Sequence, residues 1–281
     1  MLFRSLFTTS SAAYLSAEYM LAKGWLASAG VRQEKISSSA YGRTSFVSGN
    51  EVLLKADQRR SRLITLPFAG ISYSVSQWKF SGNLSGFYRP VLYSELIPLQ
   101  VIDSVSPHLR DAGGYQAEAG FSYKNAGGFS FQITLFSLHY QDKIGSYLYA
   151  PSGGTVRNVK TNMGASYAYG VEAGSEYSCK WGPHAQWSAF VAITLMQAYY
   201  LDFTAGKTVN GVPVQENIRG KKLENAPSGI YRAGVEYRYK WLRAGAQFAY
   251  TEKSFSDAWN TFQAPANAQV GIIPCYSVAD V

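Results

Sequence analysis

The side chains of this sequence that are best suited to binding chemistry are arginines on long polar segments. A guanidinium group binds carboxylates in a forked, charge-assisted geometry, so these arginines are candidates for holding an anionic ligand. The predicted ligand-binding residues are Tyr88, Arg89, Arg59, Arg60, Arg110, Arg157 and Arg219. Further cations on the same segments are Arg43, Arg62, Lys160, Lys221 and Lys222. In the alternative interpretation these cations contact acidic lipid or only keep the loops soluble.

No catalytic or metal-binding arrangement is predicted. The carboxylate pairs Glu172/Glu176 and Glu216/Glu224 have no evident partner for acid–base chemistry. The histidines and cysteines show no ligand spacing; they are His108, His139, His184, Cys179 and Cys275. The segment "APSGGT" (150–155) lacks the lysine of a phosphate-binding loop and indicates a turn. We therefore predict no enzyme, no metal and no cofactor.

Composition points to strands rather than helices. Aromatic residues make up 15% of the 281 residues, and aromatic side chains suit a pleated surface. Charged residues make up 16%, against about 25% in ordinary soluble domains. The formal net charge is +8, but the 26 lysines and arginines are scattered, which argues against a nucleic-acid partner.

Alternation with a period of two residues is the main structural signal. In "IYRAGVEYRYK" (230–240) tyrosine, alanine and valine share one face, and arginine, glutamate and lysine share the other. Around Leu135 and Phe136 the apolar parity slips, which indicates either a bulge or an apolar patch on the second face. About eleven strands are predicted, near 12–21, 25–36, 62–76, 78–89, 113–124, 129–142, 164–180, 186–201, 228–240, 242–254 and 272–281.

The connections between these strands alternate strictly between short and long. The short ones are at 22–24, 77, 125–128, 181–185 and 241, and the long ones are rich in Gly, Asn, Ser and Pro. In an up-and-down sheet, alternate connections lie at opposite ends, so one rim is tight and the other carries large loops. This is the layout of an outer-membrane β-barrel.

Five of the six tryptophans lie at or beside the short connections. They are Trp25, Trp78, Trp181, Trp187 and Trp241. Because indole favours the membrane–water boundary, this row predicts an aromatic girdle at one membrane interface. The alternative is a soluble β-sandwich whose core is capped by tryptophan, but sandwich strands are usually shorter than those predicted here.

The predicted fold is therefore all-β: an antiparallel, up-and-down, transmembrane β-barrel fragment of about eleven strands. The chain starts and stops inside strand-like segments, and "CYSVADV" (275–281) begins an alternation that runs out. We expect a barrel cut at both ends, which forms an open, curved sheet because its two edge strands have no partners.

Three stretches resemble the TonB-dependent outer-membrane receptors, and within them the ferric-citrate receptor type. The first is "SGNLSGFYRPVLYSELIPLQVIDSVSPHLRDAGGYQAEAGFSYK" (81–124). The second is "FSFQITLFSLHYQDKIGSYLY" (129–149) followed by "VRNVKTNMGASYAYGVEAG" (156–174). The third runs from "KLENAPSGIYRAGVEYRYK" (222–240) to "SDAWNTFQAPANAQVGIIPCYSVADV" (256–281). Their order covers about residues 60–281.

The resemblance implies an outer-membrane barrel for TonB-dependent uptake of an iron chelate such as ferric citrate or a siderophore. Its partners would be the ferric chelate, outer-membrane lipid and lipopolysaccharide, and the TonB complex acting through a plug domain. The family's barrels have 22 strands, and no plug-like α/β stretch is found here. We therefore expect residues 1–281 to form a partial barrel domain without the plug and the final strands. The alternatives are a passive porin or surface-binding barrel without a plug, and the soluble β-sandwich.

Overall fold

One large antiparallel sheet dominates the structure. In a computed structural model of the chain, the residues described are 4–47, 50–55, 58–92, 95, 104–106, 108–149, 157–209, 212–240 and 242–276. Their strands are β1 (Arg4–Ala22), β2 (Trp25–Val47), β3 (Asn50–Lys55), β4 (Gln58–Val75), β5 (Trp78–Arg89), β6 (Ser104–Val105), β7 (Ala112–Lys124), β8 (Phe129–Tyr149), β9 (Arg157–Trp181), β10 (Ala185–Val209), β11 (Val212–Asn217), β12 (Gly229–Tyr239), β13 (Leu242–Thr251), β14 (Ser254–Phe255), β15 (Gln263–Ala264) and β16 (Asn267–Tyr276).

The strand order follows the chain. The sheet runs β1-β2-β4-β5-β7-β8-β9-β10-β12-β13-β16, with β3, β6 and β11 attached beside β2, β9 and β10. β14 and β15 form a separate two-stranded ribbon. The prediction of an open, antiparallel, up-and-down all-β sheet is confirmed, and its eleven main strands correspond in order to the eleven predicted ones. The last strand begins at Asn267, earlier than the predicted 272, and residues 277–281 of that prediction lie outside the described residues. No helix in the described ranges is long and apolar enough to cross a membrane.

Several strands extend further toward the long loops than predicted. β2 continues to Val47 and β10 to Val209. In the extra part of β2, serine faces serine: the Ser37 and Ser61 hydroxyls are 3.1 Å apart. This part of β2 lacks apolar alternation, but backbone pairing needs none, so its hydrophobic pattern ends before the strand does.

The two faces of the sheet differ in chemistry. Register places Tyr73 opposite Phe80 and Phe80 opposite Phe121 on what we call the apolar face. On the polar face, Asn83 Nδ2 donates to the Glu118 carboxylate at 3.2 Å. Because successive residues point to opposite sides of a strand, the alternation of apolar and polar residues in the sequence gives the sheet one apolar face and one polar face.

The predicted tryptophan row lies at the short-turn end. Trp25, Trp78 and Trp187 each contact a tyrosine on a neighbouring strand, with ring centroids 4.6 to 4.8 Å apart. Trp181 is 76% exposed. Trp241 lies outside the described residues, and the interfacial role of the row stays a prediction.

The parity slip at Leu135 and Phe136 is an apolar patch, not a bulge. The pairing of β8 with β7 and β9 is continuous through these residues. Phe136 faces Gly170 on the polar side, where a Cβ on Gly170 would stand 2.7 Å from the ring. The β8 bulge comes later, between Tyr140 and Ile144.

Candidate anion-binding site

An open cleft lies at the long-loop end of the sheet, between the start of β4, the loop before β7, and β9. Its volume is about 820 Å³. The lining residues are Arg59, Arg60, Ser61, Arg62, His108, Leu109, Arg110, Asp111, Thr161 and Asn162. Four arginines and one aspartate line it, so the cleft is cationic and suits an anion that can accept several hydrogen bonds.

The cleft forms because β4 and β5 separate. They pair only between Phe68–Val75 on β4 and Trp78–Ser85 on β5. Pro67 immediately precedes the paired stretch, and its Cδ lies 3.2 Å from where a Cβ on Gly86 would stand. Proline has no N–H for a neighbouring strand, so the ladder toward β5 stops there, while β4 stays paired with β2 as far as Gln58.

Two arginines fasten the loop before β7 to the separated part of β4. Arg60 and Arg62 are two residues apart and therefore share a face. Arg60 Nη1 donates to the Leu109 carbonyl oxygen at 2.6 Å, and Arg62 forms an ion pair with Asp111. Asp111 Oδ1 also accepts the Val91 N–H at 2.8 Å. The loop is thereby fixed beside β4.

The same loop is bound to β9 at its other end. β6 pairs in parallel with Val159 and Lys160, and the Ser106 N–H donates to the Lys160 carbonyl oxygen at 2.8 Å. Val91 and Leu109 form a small buried cluster. The loop thus spans from β9 to β4 and closes one side of the cleft.

The structure brings together three of the seven predicted ligand residues: Arg59, Arg60 and Arg110 line the cleft. Arg219 lies elsewhere, on an exposed turn after β11. Arg157 is the first residue of β9, and its side chain lies outside the described part of the structure. The ligand role of all seven residues stays a prediction.

Arg89 makes an internal ion pair. Its guanidinium donates to both carboxylate oxygens of Glu95, at 2.8 and 3.2 Å. Glu95 is buried and also accepts the Leu92 N–H at 2.8 Å. Burial alone would raise the pKa of the Glu95 carboxyl, but the Arg89 fork and the Leu92 N–H outweigh it and hold the pKa below its usual range.

Tyr88 also contacts another part of the sheet. Its hydroxyl interacts electrostatically with Glu34 on β2. Glu34 is a buried carboxylate that accepts a hydrogen bond from Ser10 at 2.7 Å and another from Arg32 at 3.0 Å. This pair of predicted ligand residues, Tyr88 and Arg89, therefore holds strands and loop together.

Sequence reasoning did not single out Asp111, Thr161 or Asn162, and it placed Arg62 only among the further cations. The spacing of Arg60 and Arg62 in "RRSR" (59–62) could have predicted that these two arginines share one face of the strand. No local signal identifies Asn162, which reaches the site from another hairpin. Among the described residues, no group of three or more His, Cys, Asp or Glu side chains is arranged to hold a metal ion.

A family model agrees with this architecture over nearly the whole chain. The model described as "TonB dependent receptor-like, beta-barrel" matches residues 2–279. No curated protein sequence matches the chain.

Solved structures of transporters and receptors share the fold at low sequence identity. The siderophore receptor PiuA from Acinetobacter baumannii is 16% identical, with a TM-score of 0.74 over 98% of this chain. The copper transporter OprC is 14% identical, with a TM-score of 0.70 over 98%. The unliganded ferric citrate transporter FecA is 16% identical, with a TM-score of 0.66 over 94%. The chain spans 38%, 40% and 37% of those proteins, respectively.

Proposed function

Because the chain belongs to the TonB dependent receptor-like, beta-barrel family, we propose that it forms part of an outer-membrane barrel for uptake of an anionic metal chelate. The cargo we favour is an iron chelate, either ferric citrate or a ferric siderophore. The apolar face would meet lipid and lipopolysaccharide, and the polar face would line the lumen.

The observation that carries this proposal is the four-arginine cleft at the long-loop end. Guanidinium groups repel a bare metal cation but bind the carboxylates of a chelate. The structurally similar proteins are named for a siderophore, ferric citrate and copper, so the shared fold does not select the cargo. The arginines favour the carboxylate-bearing chelates among these.

We further propose that residues 1–281 are one portion of a larger barrel domain. The support is that the chain spans 37 to 40% of three structurally similar proteins. Coupling to the TonB complex would then act through a plug domain outside this sequence.

Calorimetric titration of ferric citrate into the chain refolded in detergent micelles tests the cargo. Arg59→Gln should weaken binding by about 1–3 kcal/mol, as expected for loss of a charged hydrogen bond. Arg238→Gln is the matched control, since Arg238 lies at the short-turn end of β12, away from the cleft, and this variant should bind ferric citrate with unchanged affinity. Equal losses in both variants, or no saturable binding by the unaltered chain, would contradict the proposal.

A further inference from the structure

Arg110 is held in the cleft by two side chains from neighbouring strands. Asp142 Oδ1 on β8 accepts a hydrogen bond from Arg110 Nη2 at 2.6 Å. Asn162 on β9 holds the main chain: its Oδ1 accepts the Arg110 N–H at 2.7 Å, and its Nδ2 donates to the Arg110 carbonyl oxygen at 2.9 Å. Both ends of this arginine are therefore fixed.

The β8 bulge places the carboxylate. Pairing with β9 shifts register between Tyr140 and Lys143 and again before Ile144. Asp142 has a φ of 53°, a left-handed conformation that aspartate tolerates better than most residues. A bulge re-aims the side chains beside it, and Asn162 Nδ2 also donates to the Asp142 carbonyl oxygen at 2.7 Å. One amide thus ties the bulge and the loop together.

The clamp leaves Arg110 available to a ligand. The Arg110 side chain is 71% exposed, and that of Asp142 is 36% exposed. Asp142 engages Nη2, and the remaining donors of the guanidinium fork can meet a carboxylate. Asp142 also offsets part of the positive charge of the cleft, so it lowers attraction for any anion while it orients one donor group.

We infer that Asp142 and Asn162 are positioning residues that hold Arg110 in one geometry, so that the cleft discriminates between anions by shape and not by charge alone. The inference rests on the proposed function, since it concerns the same cleft. It differs from a purely structural role because removal of the Asp142 charge should raise affinity for simple anions while it lowers selectivity for citrate.

The first test measures the geometry of Arg110 without any cargo. The full chain, refolded in detergent, is labelled with phenylglyoxal, and the rate at each arginine is read by peptide mass spectrometry. Asp142→Asn should speed labelling of Arg110 by about 1.5-fold to fivefold, the range for loss of one solvent-exposed ion pair, and leave the rate at Arg59 unchanged. Asp202→Asn is the matched control, because Asp202 binds Asn217 on β11 and should not alter labelling of Arg110.

The second test measures selectivity as the ratio of citrate affinity to sulfate affinity. Asp142→Asn should bind sulfate at least as tightly as the unaltered chain, with a lower citrate-to-sulfate ratio. Asn162→Asp, which keeps the acceptor and loses the donor, should also lower the ratio. If Asp142→Asn changes labelling at Arg59 as well, the fold of that variant is disturbed. The labelling rate of Arg110 and the citrate-to-sulfate ratio of Asn162→Asp then test the inference.

Unchanged labelling of Arg110 in both Asp142→Asn and Asn162→Asp overturns the inference, as does an equal loss of citrate and sulfate binding. If the unaltered chain binds no ferric citrate, the proposed cargo is wrong, and the labelling rates still decide whether Asp142 and Asn162 position Arg110.

Discussion

Glu224 shows how one carboxylate organises the long-loop end. It accepts a hydrogen bond from the buried Tyr200 hydroxyl, and Lys143 Nζ lies 3.4 Å from its Oε1. The same ammonium lies 4.9 Å from the Tyr200 ring centroid. Burial alone would raise the pKa of Glu224, but the Tyr200 hydrogen bond and the Lys143 charge outweigh it, so the pKa lies below its usual range.

The lowered pKa predicts acid-dependent loosening of the loop between β11 and β12. A depressed folded-state pKa adds stability above the unfolded pKa, about 4.3 for glutamate, and this stability is lost as pH falls through the folded value. Limited proteolysis from pH 7 to pH 3, with an acid-active protease, should show faster cleavage of this loop at low pH. Glu224→Gln should be cleaved faster at pH 7 with a flatter pH dependence; identical profiles for the two proteins would contradict this assignment.

Four pairs of neighbouring strands contain the same cross-strand residue pair. A phenylalanine on one strand lies directly opposite a glycine on the next, on the polar face. The pairs are Gly30/Phe68, Phe87/Gly114, Phe136/Gly170 and Phe190/Gly234. A Cβ at any of these glycines would stand 2.4 to 3.1 Å from the opposite ring, so each glycine leaves the space that the ring occupies.

Gly170→Ala should therefore destabilise the sheet. The new methyl would stand 2.7 Å from Phe136 Cζ and would collide with the Leu195 carbonyl oxygen, which belongs to a paired strand and cannot move freely. Overpacking of this kind costs about 1–3 kcal/mol. Gly174→Ala is the matched control, because a Cβ there meets its nearest atom at 3.8 Å. Equal urea midpoints for the two refolded variants would contradict the packing argument.

The two edge strands of the sheet determine whether the molecule can close into a barrel. β1 and β16 end the strand path, and both carry exposed apolar side chains: Leu15 is 74% and Ile272 is 77% exposed. Eleven alternating antiparallel strands leave β1 and β16 running in the same direction, so direct pairing between them would be parallel. Closure into an all-antiparallel barrel needs an odd number of additional strands.

We predict that residues 1–281, refolded alone in detergent, do not form a closed monomeric barrel. Unpaired N–H and C=O groups at the edges favour edge-to-edge association instead. The measurement is migration on a denaturing gel before and after heating, which is heat-dependent for closed barrels. A sharp, heat-sensitive monomer band that also conducts ions across a planar bilayer would show the prediction to be wrong.

The tryptophan row tests membrane placement of the whole sheet. With the chain in lipid vesicles, shallow brominated lipids should quench the fluorescence of Trp25, Trp78, Trp181 and Trp187, because indole resides at the interface. Trp259 lies in a long loop, and its fluorescence is removed in a Trp259→Phe variant, so that the signal of the row can be measured separately. Efficient quenching by aqueous iodide with no effect of lipid bromine would exclude an interfacial row.

Local sequence patterns were sufficient to predict the strands, their order and their two faces. Alternation acts over two residues, and turn chemistry acts over two to five, so both can be read locally. The five short connections and the two faces of the strand at 228–240 follow from such local patterns. Strand ends such as Val47 were missed because backbone pairing continues where apolar alternation stops.

Which cations share a site depends on contacts between residues that are far apart in the sequence. Arg60 meets Leu109 across 49 residues, and Asn162 meets Arg110 across 52. These contacts depend on the separation of β4 from β5 at Pro67 and on the bulge at Asp142. A periodic sequence pattern gives neither the direction in which a loop leaves the sheet nor the residues that it contacts. Arg59 and Arg219 are equivalent as residue types, yet Arg59 lines a cleft and Arg219 lies on an exposed turn. The reason is that long-range contacts bring the loop before β7 against the start of β4, where Arg59 lies, and not against the turn after β11.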